Sequence, residues 1–346
     1  MKPETLLCPR PDGLYCPPGD FYIDPVRPVE RAVITHGHAD HARAGHGAVL
    51  ATPQTLAIMA TRYGEDFTAQ RQPLDYGQSV THQGVQVGLV PAGHVLGSAQ
   101  AVLTWNGMRI VVSGDYKRRR DPTCPAFEPV ACDVFVTEAT FGLPPFRHPP
   151  ADEEVGKLLK SLKQFPDRAH LVGAYALGKA QRIVCLLREA GYGETIYTHG
   201  AMERLNRLYH DFGVDLGPLE HAGAGMPKAA FAGKIVVCPP SALQDRWSRR
   251  FPDPVAAFAS GWMRVRARAR QRGIELPLVI SDHADWDGLT ATIAATGAGE
   301  VWVTHGQEDA LVHWCKSQGL AARPLDLVGY GDEDEGEATL AGEADA

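Results

Sequence analysis

The sequence predicts an α/β protein whose chemistry-bearing residues are delivered at strand ends. Three observations carry that reading. Short β-rich runs alternate with helical patterns, six apolar runs stop on a polar or ionisable residue, and His36-Gly37-His38-Ala39-Asp40-His41 stands directly behind the first of them. Open sheets hold their chemistry just beyond strand ends, where the backbone turns and side chains converge.

Taken in order, Arg31 to Thr35 reads as a buried strand ending at the histidine cluster. Gln83 to Pro91 delivers Gly93-His94, Met108 to Ser113 stops before Gly114-Asp115, and Asp133 to Thr137 stops at Glu138. The Pro-rich Gly142-Leu-Pro-Pro-Phe-Arg-His-Pro-Pro150 breaks regular structure and suits a domain crossing. Beyond it, helix signals at Asp152 to Lys163 and Lys179 to Glu189, with strand signals at Ala169 to Gly173 and Lys234 to Cys238, read as an inserted domain. Leu278 to Ser281 then precedes Asp282-His283, and Glu300 to Thr304 precedes His305-Gly306. The organisation expected is a first part at 1–142, an insertion at 143–261, a return at 262–330 and a tail at 331–346.

The 346 residues, 44% of them hydrophobic, are enough for one large or two medium domains. No run approaches the roughly 18 to 20 apolar residues of a membrane helix, and the opening MKPETLLCPRPDG lacks the apolar core of a signal peptide. A cytoplasmic location without a membrane partner is expected. Seven scattered cysteines with no Cys-x-x-Cys pair indicate neither a disulfide framework nor a cysteine zinc site. The formal charge of -7 at first argues against a polyanionic substrate. Seven acidic and no basic residues lie between Gly331 and Ala346, however, so the body is formally neutral and the tail reads as disordered.

His-x-His-x-Asp-His behind a buried strand is a dense set of imidazoles and carboxylates. Alternate residues of an extended loop project the same way, so His36 and His38 can grip one ion while Asp40 and His41 turn toward a second. Imidazole plus carboxylate suits zinc, and also manganese or iron. The strand-end residues His94, Asp115 and His305 are available to complete two sites, and a carboxylate such as Asp115 can bridge two cations. Two divalent ions roughly 3.5–4 Å apart activate water and stabilise charge on a phosphoryl group. Neither a Gly-x-Ser-x-Gly elbow nor a P-loop competes for the chemistry.

These residues resemble the metallo-β-lactamase superfamily, and within it the β-CASP branch of nucleic-acid nucleases. The matching motifs are Asp24 in Phe-Tyr-Ile-Asp, His36 to His41, His94 in Ala-Gly-His-Val-Leu-Gly-Ser and Asp115 in Ser-Gly-Asp-Tyr. They continue with Glu138 in Thr-Glu-Ala-Thr-Phe-Gly, His283 in Ser-Asp-His-Ala-Asp and His305 in Thr-His-Gly-Gln. The resemblance implies an αββα sandwich with an inserted α/β domain. It further implies His36, His38 and His94 on one metal, Asp40, His41 and His305 on the other, and Asp115 bridging. His283 would protonate the leaving oxygen, oriented by Glu138, with Asp40 beside the reacting centre and Asp24 behind the histidine cluster.

The likeness runs from Cys16 to about Tyr330. Ser260-Gly-Trp-Met-Arg-Val-Arg266 leading into Ser281-Asp-His-Ala-Asp-Trp286 is similar to the bacterial ligase-associated DNA exonucleases, which implies an ATP-dependent DNA ligase as functional partner. RNA-processing members carry histidine at the last motif, as His305 does here, whereas DNA-directed eukaryotic members usually lack it; the ligase-associated group is an exception, so the resemblance favours DNA with RNA as the alternative. A glyoxalase-like hydrolase also uses His-x-His-x-Asp-His, but the insertion and the late His283 and His305 fit it poorly.

For the binding surface, Arg264, Arg266, Arg268, Arg270 and Arg272 recur at every second residue, and Lys117 and Arg118 open a second cluster behind Asp115. Such groups anchor a phosphate backbone without reading bases. The arginines form two rows on a helix and one face on a strand. Gly173-Ala-Tyr-Ala-Leu-Gly-Lys-Ala-Gln-Arg182 resembles the start of a β-CASP helix, where free amides and Lys179 could hold a phosphate. Trp262, Trp286 and Tyr116 read as core or as stacking platforms.

Overall fold

A computed structural model describes residues 1–325 and 327, apart from 224 and 252. The expected acidic tail lies outside the described residues. Contacts divide the chain into two compact units, Met1–Arg147 with the described residues from His283 onward, and His148–Asp282.

The first unit opens with β1 (Cys8–Arg10), β2 (Gly13–Cys16), β3 (Phe21–Ile23), β4 (Arg31–Val33) and β5 (His46–Ala51), followed by α1 (Pro53–Tyr63) and β6 (Thr68–Pro73). These six strands form one sheet in sequence order, antiparallel from β1 to β3 and parallel from β3 to β6. Helix α1 starts where sequence chemistry places a start: Thr52 accepts a hydrogen bond from the Thr55 amide and Pro53 fills the first turn.

A second sheet takes β7 (Ser79–His82), β8 (Val85–Pro91), β9 (Ala99–Trp105), β10 (Met108–Val112) and β11 (Val134–Ala139). The second unit then contributes α2 (Ala151–Gln164), β12 (His170–Gly173), α3 (Lys179–Glu189), β13 (Ile196–Thr198), α4 (Glu203–Asp211), β14 (Leu219–His221), β15 (Ile235–Cys238), β16 (Val255–Ala259), α5 (Arg266–Gln271) and β17 (Leu276–Leu278). The chain returns to the first unit with α6 (Trp286–Thr296), β18 (Glu300–Gly306), α7 (Glu308–Ser317) and β19 (Ala321–Pro324). Strands β18 and β19 extend the second sheet in the order β19-β18-β11-β10-β9-β8-β7.

The two sheets of the first unit face each other. Leu14, Ile23, Val33 and Leu50 from one pack with Val87, Leu89, Ala101 and Leu103 from the other in a single buried cluster. Outside the first sheet, Leu56 and Met59 of α1 cover Ile34, Val49 and Ala51. Outside the second, Leu289 and Ile293 of α6 with Leu311 and Val312 of α7 cover Val111, Phe135, Val301 and Val303. The layers are therefore α, β, β, α, with each helix burying its apolar stripe on one sheet.

The second unit is built on a parallel sheet of order β14-β13-β15-β12-β16-β17. Residues 262–282, read from the sequence as the start of the return, stay with it because Leu276 to Leu278 pair with β16. The strand expected at Leu278 to Ser281 is displaced accordingly: past Leu278 the backbone leaves the sheet and the Val279 amide donates to the buried Glu154 carboxylate at 2.9 Å. Among the described residues no helix is long and apolar enough to cross a membrane.

Candidate metal centre

Strand β3 ends at Ile23, and Asp24 follows with a backbone φ of 44°, a left-handed conformation uncommon for a side-chain-bearing residue. That turn points its carboxylate at the end of β4. Oδ1 accepts from the Thr35 amide at 2.8 Å, and Oδ2 accepts from the Thr35 hydroxyl at 2.6 Å and lies 2.8 Å from His41 Nδ1. Since the Thr35 proton goes to Asp24, Thr35 Oγ1 is left to accept from His36 Nδ1, 3.0 Å away. One carboxylate thus fixes two imidazoles with Nε2 facing inward.

Those nitrogens converge on Asp115. Its Oδ2 is 3.4 Å from His36 Nε2, 3.5 Å from His41 Nε2 and 3.8 Å from His94 Nε2, while His94 Nε2 is 3.0 Å from His38 Nδ1. Asp40 Oδ2 lies 3.6 Å from His41 Nε2 and 4.0 Å from His305 Nε2, and the His41 and His305 rings stack at 4.9 Å. His305 has a φ of 60°. Among the described residues the donors fall into three groups, His36 with His38, His94 and Asp115, Asp40 with His41 and His305, and Asp115 with Glu138 and His283.

The spacing itself fits a divalent cation. Ligands about 2.0–2.2 Å from a shared tetrahedral ion stand about 3.3–3.5 Å from one another. In addition, Oδ1 of Asp115 is buried with no hydrogen-bond partner, an arrangement that costs desolvation energy unless something positive meets it. Burial pushes the Asp115 carboxyl up to about 7, opposed by the positive charge of His41. Burial alone would lower His41, but the carboxylates of Asp115 and Asp40 and the bond to Asp24 lift it to about 10. Imidazole and carboxylate donors with this electrostatic need match zinc, manganese or iron.

Close packing holds the loops in place. Gly114, with φ 56°, leaves no room for a side chain, since a Cβ there would lie 2.6 Å from Thr35 Oγ1. Next to it, the Tyr116 amide donates to Glu138 Oε1 at 2.7 Å, and Glu138 Oε2 accepts from Thr140 Oγ1 at 2.6 Å and meets His283 Nδ1 at 2.8 Å. The Ala284 amide closes the loop on the Tyr116 carbonyl at 2.7 Å. Arg119 reaches Asp285 at 3.1 Å, and Asp285 also caps α6 through the Gly288 amide.

The metal ligands expected from the sequence, with Asp24, Glu138 and His283, are therefore brought together within the first unit. Thr35 and Thr140, which orient His36 and the Glu138 carboxylate, were missed, although a hydroxyl one residue before His36 or two after Glu138 is a readable signal. The expected phosphate contacts fare differently. Lys179 is buried with its ammonium 3.1 Å from Asp282 Oδ1 and 4.4 Å from the Tyr175 ring centroid, so it is no surface anchor. Lys117 is also buried. Arg118, Arg264 and Arg266 are exposed, and Arg268 stacks over Trp262 at 4.1 Å. Helix α5 carries Arg266, Arg268 and Arg270 of the repeat, and Arg268 and Arg272 lie over the rings of Trp262 and Phe258. Tyr116 and Trp286 are core residues.

Residues 24–172 match the family described as the Metallo-beta-lactamase superfamily, and the chain carries a domain of that superfamily. More particularly, it is similar to nucleases and a ligase-named protein. It is 27% identical over 313 residues to "Probable DNA ligase" of Opitutus terrae, covering 90% of this chain and 30% of that protein. It is 31% identical over 219 residues to "Endoribonuclease ysh1" of Emericella nidulans, covering 52% of this chain and 24% of that protein. It is 29% identical over 195 residues to "Cleavage and polyadenylation specificity factor subunit 3" of Dictyostelium discoideum, covering 46% of this chain and 25% of that protein. The chain thus spans less than a third of the length of each of these relatives. A solved structure titled as a protein of unknown function from Enterococcus faecalis matches with a TM-score of 0.57 at 12% identity, over 87% of this chain and 80% of that one, a likeness of fold. The resemblance carried by the motifs, a metallo-β-lactamase fold of the β-CASP branch, agrees with these relatives. The superfamily implies divalent metal ions, for which the two His/Asp groups are the matching donors.

Proposed function

We propose that this chain is a metal-dependent nuclease that hydrolyses phosphodiester bonds, acting on DNA from an end in concert with an ATP-dependent DNA ligase. The observation that carries the reading is the Glu138–His283 pair standing within ligand distance of Asp115, around which His36, His41 and His94 gather. His36, His38 and His94 would hold one ion and Asp40, His41 and His305 the other, with Asp115 between them. When bound, two such divalent ions supply an activated water and neutralise charge on a phosphoryl group.

The protein's own residues do the rest. Glu138 accepts a hydrogen bond from His283 Nδ1–H, which leaves Nε2 to carry a proton toward the departing sugar oxygen. Asp24 and Thr35 keep His41 and His36 in the tautomers that present Nε2. Asp40 offers a carboxylate beside the reacting centre. Arg118, Arg264 and Arg266 would contact the phosphate backbone, a role that requires no base reading.

DNA is favoured because the relative printed as a probable DNA ligase aligns over nearly the whole chain. RNA is the second reading, favoured by the endoribonuclease relative and by histidine at position 305. A cytoplasmic setting accords with seven scattered cysteines that form no Cys-x-x-Cys pair. Zinc- or manganese-loaded protein should degrade 5′- and 3′-labelled single- or double-stranded DNA faster than RNA. Preference for RNA would transfer the assignment, and no cleavage of any nucleic acid by folded, metal-loaded protein would reject it.

A further inference from the structure

Helix α1 is tied to both loops that carry the histidines of the first donor group. At its N-terminal end, the hydroxyls of Thr52 and Thr55 donate to the Gly97 carbonyl at 2.7 and 3.0 Å. Gly97 closes the turn that follows His94, where Ser98 Oγ accepts from the His94 and Val95 amides at 3.0 and 3.2 Å. Toward its C-terminal end, Arg62 Nη1 donates to the carbonyl of Gly37, the residue between His36 and His38, at 2.9 Å. Both loops are pressed against the helix. A Cβ on Gly37 would lie 2.5 Å from Ile58 Cγ2, and one on Gly97 would lie 2.7 Å from the Thr55 amide nitrogen.

We propose that α1 is the template of the three-histidine site, with Arg62 and Thr55 as its positioning residues. This inference rests on the ligand assignment made under Proposed function. An 11-residue helix is a stiff body about 16 Å long. Carbonyls fastened to it at two points hold His36, His38 and His94 in one frame before an ion arrives, which lowers the ordering cost of binding. In the other donor group, His41 is held by Asp24, which reaches His36 only by way of Thr35, and His305 lies on β18. The template should therefore act on one site and not on both.

The test uses the full chain stripped of metal and titrated with cobalt(II), read by the visible absorption of the bound ion and by competition with a chromophoric chelator. His36→Ala and His305→Ala identify which step belongs to which site. Arg62→Met and Thr55→Val should each weaken the His36 step about 10- to 100-fold, the range usual for groups that orient metal ligands. Its absorption band should shift, the His305 step should be unchanged, and Arg62→Lys should recover part of the loss. Wild-type titrations from both Arg62→Met and Thr55→Val would overturn the proposal. So would equal weakening of both steps with a lowered melting temperature, which marks a general structural role. Failure of the wild-type protein to bind cobalt would overturn the underlying ligand assignment instead.

Discussion

Nδ1 of His283 lies 2.8 Å from Oε2 of Glu138, and both side chains are buried. Such a pair orients the ring and leaves the opposite nitrogen to handle a proton. Glu138→Ala and His283→Ala should each lower the rate of phosphodiester cleavage by about 10²- to 10⁴-fold while metal content stays at the wild-type level. Because the two act as a unit, the double variant should be no slower than the worse single variant. Additive losses, or retained activity in His283→Ala, would remove the pair from the mechanism.

Lys179 and Asp282 form a 3.1 Å ion pair with side chains only 4% and 1% exposed. Removing Lys179 takes an opposite charge away from a carboxylate held in a low-dielectric interior. Lys179→Met should cost about 3–5 kcal/mol of unfolding free energy. In urea titrations Lys179→Met/Asp282→Leu should recover most of that loss. A single variant as stable as the wild type would show that the pair is solvated in solution.

Metal uptake should be coupled to proton release. In the metal-free protein at neutral pH, His41, raised to about 10, holds its proton and Asp115, raised to about 7, is partly protonated, and both must be deprotonated to ligate. Apparent metal affinity should therefore rise with pH from about 6 to 9, and calorimetric binding heats should vary with the buffer's ionisation enthalpy. A pH-independent affinity would contradict the ligand roles of both residues.

His170 is fully buried, with Nε2 2.9 Å from Ser161 Oγ and Nδ1 lacking a hydrogen-bond partner. Burial, aided by the charge of Arg168, lowers its pKa below the ordinary 6.5. The native state therefore binds fewer protons than the unfolded chain. Its contribution to stability is complete above the unfolded value and is lost as pH falls below about 6.5 through the folded value. His170→Gln should flatten the stability-versus-pH curve in that window, and an unchanged slope would assign the acid sensitivity elsewhere.

Arg264 and Arg266 are exposed, whereas Arg268 is held over Trp262. If the exposed pair meets phosphates, Arg264→Ala/Arg266→Ala should weaken nucleic-acid binding uniformly across sequences. The slope of log affinity against log salt should fall by about 0.7 to 0.9 for each phosphate that is no longer neutralised. An unaltered slope would mark a solvated face.

Much of the candidate site was legible because its imidazole and carboxylate donors sit in short, dense motifs behind apolar runs: His36 to His41 behind β4, Asp115 behind β10, and His305 at the end of β18. Glu138 and His283 needed the family resemblance, since a lone carboxylate and a lone histidine carry no signal of their pairing across 145 positions. Lys179 was misread because burial does not show in a residue type. A lysine at a helix start looks the same whether it faces solvent or, as here, Asp282. The supporting hydroxyls of Thr35 and Thr140 and the guanidinium of Arg62 went unseen for a related reason, their partners being backbone and carboxylate groups that only a turn brings near.

The sequence by itself determined the α/β class, the donor set and the order in which strands deliver it, because hydrophobic period and ligand chemistry are local properties. Tertiary structure alone decided which donors stand close enough to share an ion, which charges are buried and which remain outside. It also placed Leu276 to Leu278 in the parallel sheet and residues 262–282 in the second unit. Those outcomes depend on long-range pairing and on desolvation, and both arise only when segments far apart in the chain are packed together.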